Sequence, residues 1–110
     1  MGMIELNREI YEVAQRLQKA AAEIYKLAHK RAVTERTYRL NLSQEIVRLR
    51  DAGTPATIIN DMARGNIADI KFQRDLADGQ YRASIEALEA LKSQLMALQT
   101  IAKYQSEIAS

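Results

Sequence analysis

An apolar stripe with coiled-coil spacing runs through nearly all of this 110-residue chain and is broken in one place, around Gly53, Thr54 and Pro55. A stripe repeating about every 3.5 residues suits a helix laid along another helix, and it leaves little room for a closed catalytic pocket. The expectation is an all-α antiparallel hairpin of two long helices.

The first half places Leu6, Ile10, Val13, Leu17, Ala20, Ile24 and Leu27 at alternating three and four spacings. Strong helix formers such as Arg8, Glu12, Arg16 and Lys19 lie between them, where solvent belongs. Continuing the register puts Arg31 and Thr34 on the seam before Tyr38, Leu42, Ile46 and Leu49 resume it with a shift of about one residue. Arg31 therefore reads as a register device or a snorkelling side chain.

The second half repeats the pattern through Ile67, Ile70, Arg74, Ala77, Tyr81, Ser84, Leu88, Leu91, Leu95, Leu98 and Ala102, with Ile85, Met96 and Ile101 widening it. At 1.5 Å rise per residue this helix would span about 60 Å. Between the halves, Gly53 suits a left-handed C-terminal cap, Thr54 an N-cap and Pro55 the first helical position. Gly65 reads as a stop and Asn66 as the next cap, so the expected elements are a helix over about 5–51, a short connecting helix over 55–64 whose Ile58, Ile59 and Met62 cover the hairpin end, and a helix over 66–107. Residues 1–110 read as a single domain.

Folding the chain at the short helix sets Gly79 opposite Tyr38, Asp78 opposite Arg39, Asp69 opposite Arg48 and Glu86 opposite Arg31. That register gives Gly79, which costs roughly 1 kcal/mol relative to Ala inside a helix, the role of making room for a ring. It also answers the charge distribution. Residues 1–50 hold ten Lys and Arg against six acids, while residues 51–110 hold six against eight, so the halves are complementary.

The stripe is wider than two helices can cover, because Tyr11, Tyr25, Ile85, Met96, Ile101 and Ile108 flank it. Association into a four-helix bundle, as a dimer or a larger homo-oligomer, is the economical way to cover it, and an unidentified partner protein is the other.

Chemistry-bearing residues are sparse. There is one His, no Cys and no glycine-rich phosphate loop, so neither a triad nor a Walker-type site assembles. The residue three before His29 is Lys26, which excludes the Glu-x-x-His spacing of a di-iron bundle. Acidic pairs such as Asp75 with Asp78 read as solvated charge. The chain is read as no enzyme, without cofactor or metal, and with no apolar stretch long enough for a membrane. The lack of Cys fits a cytoplasmic setting.

One alternative is kept open. Lys26, Lys30, Arg31, Arg36 and Arg39 form a cationic run on the first helix that is suited to backbone phosphates, which would make the chain a nucleic-acid-binding accessory protein. A helix-turn-helix reading of the central segment lacks residues for base readout, since Ala56, Thr57, Asn60, Asp61 and Arg64 contain one acid and one base.

The central run Arg48-Leu-Arg-Asp-Ala-Gly-Thr-Pro-Ala-Thr-Ile-Ile-Asn-Asp-Met-Ala-Arg-Gly-Asn, followed by Lys71-Phe-Gln-Arg-Asp-Leu-Ala and Tyr81-Arg-Ala-Ser-Ile-Glu-Ala-Leu, resembles small helical proteins of unknown function from phages and prophages of Gram-positive bacteria. The resemblance covers roughly residues 40 to 105. It implies a cytoplasmic accessory protein, since such genes often sit among early replication and recombination genes, and it carries over no functional residues. The combined expectation is a non-catalytic phage-type adaptor, scaffold or inhibitor acting through self-association and protein–protein contacts.

Overall fold

The structure, a computed structural model, describes residues 1–109. Three helices follow one another: α1 (Met3–Asp51), α2 (Ile59–Asn66) and α3 (Ala68–Ala109), with no strand among the described residues. Long α1 packs against long α3 as a hairpin, with α2 the short middle helix between them in sequence. The chain packs as two compact units, residues 1–26 with those from Arg82 onward, and residues 27–81.

The helix stop at Gly53 is as the sequence leads one to expect. Gly53 has φ of 85°, its N–H donates to Arg50 O at 3.0 Å, and the Thr54 N–H donates to Leu49 O at 3.0 Å. This pair of bonds satisfies two carbonyls that α1 would otherwise leave open, and the left-handed residue they require is the one with no Cβ to clash.

The start of the short helix differs from the expectation. Thr54 and Pro55 do not open α2. Pro55 O instead accepts the Ile58 N–H at 3.2 Å in a separate turn, and the helix begins at Ile59 with no side-chain cap at Ile58. Packing decides this start. Ile59 and Ala63 are buried against Leu49, with Leu42 and Ile46 alongside, so chain reversal is complete before α2 and α2 already belongs to the returning arm. Ile58 and Met62 remain exposed and do not close the hairpin end. Gly65 lies inside α2, and only Ile67 separates α2 from α3.

That early reversal shifts the interhelical register of the second unit. Tyr38 meets Arg74 and not Gly79, and Arg31 pairs with Asp78 and not Glu86. Arg39 pairs with Glu35 on its own helix, as Arg48 does with Glu45. Gly79 is exposed, and a Cβ built there meets nothing within 4 Å, so it makes room for no ring.

The inward faces follow the heptad reading closely. Every seam position named above is buried or half-buried except Arg31. In the first unit Leu6, Val13 and Leu98 are buried, with Ile10, Leu91, Leu95 and Ala102 packed on them, and Gln105 Nε2 donates to Met1 O at 3.2 Å. No helix of the described residues is long and apolar enough to cross a membrane.

Candidate interaction surfaces

Two kinds of surface stand out, a charged groove in the second unit and apolar stripes on the outer helix faces.

The groove, about 570 Å³, has Ala28 and Ala32 on one wall. Its charged lining is balanced, with Arg31, Arg39 and Arg74 against Glu35, Asp75 and Asp78. Arg31 Nε lies 2.7 Å from Asp78 Oδ1, and its guanidinium carbon lies 4.9 Å from the centroid of the Tyr81 ring. Arg74 Nη2 lies 2.8 Å from Asp75 Oδ1 and its Nε 3.8 Å from Glu35 Oε2, while Arg39 Nε reaches Glu35 Oε1 at 2.7 Å. Lys71 Nζ adds a donor to Asp75 Oδ2 at 2.8 Å. Hydrogen bonds from Lys71 and Arg74 hold the Asp75 carboxyl below the usual range. Each groove cation faces a carboxylate, so the field there is not that of a phosphate cradle.

The cationic run read from the sequence does not become one face. Lys26 and Lys30, four residues apart, share one side of α1. At about 100° per residue, Lys30, Arg31 and Arg36 point in three directions roughly 100–140° apart on α1. All five are exposed, and Arg31 and Arg39 are engaged by Asp78 and Glu35. Among the described residues no group of three His, Cys, Asp or Glu stands ready for a metal ion.

A second polar cluster joins α2 to α1. Asn66 Nδ2 donates to Glu45 Oε1 at 2.8 Å and Arg48 Nε donates to Glu45 Oε2 at 3.1 Å. The Arg48 hydrogen bonds, then that of Asn66, lower the Glu45 carboxyl from 4.5 to about 2.

The apolar surfaces are larger. In the first unit, Ile4, Tyr11 and Tyr25 lie seven and fourteen residues apart on the outside of α1, with Tyr25 80% exposed. On α3 of the same unit an unbroken heptad runs from Ala83 to Ile108, with Ala87, Gln94, Ile101 and Ile108 as one set and Ala83, Ala90, Ala97 and Tyr104 as the other. All eight are exposed. This second stripe lies about 100° around α3 from the inward seam. In the second unit Val33, Leu40 and Val47 repeat the seven-residue step on α1, and Phe72 and Leu76 are exposed on α3. The sequence reading found Ile101, Ile108 and the tyrosines as flanks of one wide stripe, and missed that α3 carries two separate heptads. The signal is present, but alanines at half of its positions give it little hydrophobic contrast.

The fold and these surfaces define a helical hairpin with unpartnered apolar stripes. No protein-family model, curated protein or solved structure matches the chain.

Proposed function

We propose that this chain is a non-catalytic helical interaction module, an adaptor, scaffold or inhibitor of the phage type that its central segment resembles, acting in the cytoplasm through self-association and protein–protein contacts. The observation that carries this reading is the set of large apolar side chains left exposed in rows on the helices, among them Ile4, Tyr11, Tyr25, Ile101, Tyr104 and Ile108. Scattered exposed apolar residues need no explanation, but rows at heptad spacing are what a further helix covers. Balanced charge in the groove favours this reading over phosphate binding.

Light scattering across a dilution series tests it. A mass of at least two chains is expected, and a strict monomer at the highest concentrations would remove self-association from the proposal. The competing nucleic-acid reading is tested with labelled duplex DNA. Micromolar or tighter binding near physiological salt, falling steeply as salt rises, would displace the adaptor reading in its favour.

A further inference from the structure

We infer that the outward heptad of α3 between Ala83 and Ile108 is a self-recognition surface, which pairs antiparallel with the same face of a second copy about a twofold axis near Leu95 and Met96. The pairing deepens the self-association reading and rests on it.

The heptad is asymmetric in size along its length. Its first half carries Ala83, Ala87 and Ala90, and its second half Ile101, Tyr104 and Ile108. Two parallel copies in register would set alanine against alanine at one end and bulky side chains against each other at the other, leaving a gap and a crowd. Antiparallel packing removes both defects. Ala83 then faces Ile108 of the second copy, Ala87 faces Tyr104 and Ala90 faces Ile101, so each large side chain enters space left by a small one, with Gln94 beside Ala97 at the centre. A twofold axis repeats every such contact, as an isologous dimer requires.

Charge is mixed in that alignment, with Lys103 near Glu86 of the second copy and Glu107 between Arg82 and the like-charged Glu86 of the second copy, so the size pattern and not charge selects the pairing. A compact monomer of 12.5 kDa exposes roughly 6,200 Å², whereas this chain exposes 8000 Å², so it carries more surface than a compact globule of its mass.

The test uses the full chain and two variants. Ala90→Glu with Ala97→Glu places carboxylates on positions exposed in the monomer, so helicity by circular dichroism should be unchanged while light scattering falls from two chains to one. Ala90→Cys with Ile101→Cys should cross-link under mild oxidation into a dimer on a reducing-sensitive gel, whereas Ala90→Cys alone should not, because the two copies of that position lie far apart in an antiparallel pair. The chain has no native Cys to confuse the result. A dimer that survives the double Glu substitution overturns this interface and leaves self-association standing through another face. Cross-linking through Ala90→Cys alone overturns the antiparallel arrangement, and a native chain that is monomeric throughout overturns both.

Discussion

The guanidinium carbon of Arg74 lies 4.0 Å from the centroid of the Tyr38 ring, and the ring beneath it is one of the few buried large side chains of the second unit. Both residues occupy heptad seam positions, so an arginine on the apolar seam of α3 is accommodated by lying flat on the face of an aromatic ring on α1. Its polar edge remains free to reach Asp75 and Glu35.

That stacking makes Arg74 a structural residue. Arg74→Ala should lower stability by about 1–2 kcal/mol, through lost ring coverage as well as lost charge. Arg39→Ala, which removes only an exposed pair with Glu35, should cost less than about 1 kcal/mol. Urea denaturation of both variants checks the difference, and a double-mutant cycle of Arg74→Ala with Tyr38→Leu should return a coupling of about 0.5–2 kcal/mol.

Arg31 sits on the seam of α1 yet remains exposed, held by Asp78. A half-solvated pair of this kind adds little, and its replacement by an apolar side chain extends the inward stripe. Arg31→Leu should therefore preserve or raise the melting temperature. A marked fall in Tm would show that the Arg31, Asp78 and Tyr81 contacts hold the second unit together.

Two glycines should respond in opposite directions. Gly79 lies inside α3 with open space where a Cβ would sit, so Gly79→Ala should stabilise the chain by up to about 1 kcal/mol. Gly53 has open space too, but its φ of 85° suits only a residue tolerant of the left-handed region. Gly53→Ala should destabilise by about 1–2 kcal/mol, and equilibrium denaturation of the two variants side by side reads the contrast.

Acid should loosen the joint between α1 and α2. The Glu45 carboxyl is lowered from 4.5 to about 2, so its bonds with Arg48 and Asn66 stabilise the fold fully above pH 4.5. That contribution is lost as the pH falls toward 2, where the folded form takes up its proton. Glu45→Gln should flatten the stability profile in this window, leaving the variant less stable than the native chain at neutral pH and close to it near pH 2. An NMR titration of the Glu45 side-chain carbon should give a midpoint well below that of a free glutamate.

Much of the fold is legible along the chain because helix packing is written locally. Leu6, Val13, Leu49, Ala77 and Leu98 announce their burial through the three and four spacing around them, and Gly53 announces the end of α1 by being the residue that tolerates positive φ. The candidate surfaces are less legible. Lys26 to Arg39 form a dense run of cations in the sequence, yet a helix turns neighbours away from each other, and while the Arg39–Glu35 pair is local to α1, only folding brings Asp78 to Arg31.

The sequence alone determined that there would be two long helices, which side of each would face inward, and that direction would change after Asp51. Those properties depend on residues within a turn or two of one another. Tertiary structure decided that α2 begins at Ile59 and joins the returning arm, that Tyr38 lies under Arg74, and that Asn66 reaches Glu45. Such pairings depend on where the reversal falls, and a stripe that repeats every seven residues reads almost the same when one helix slides past the other.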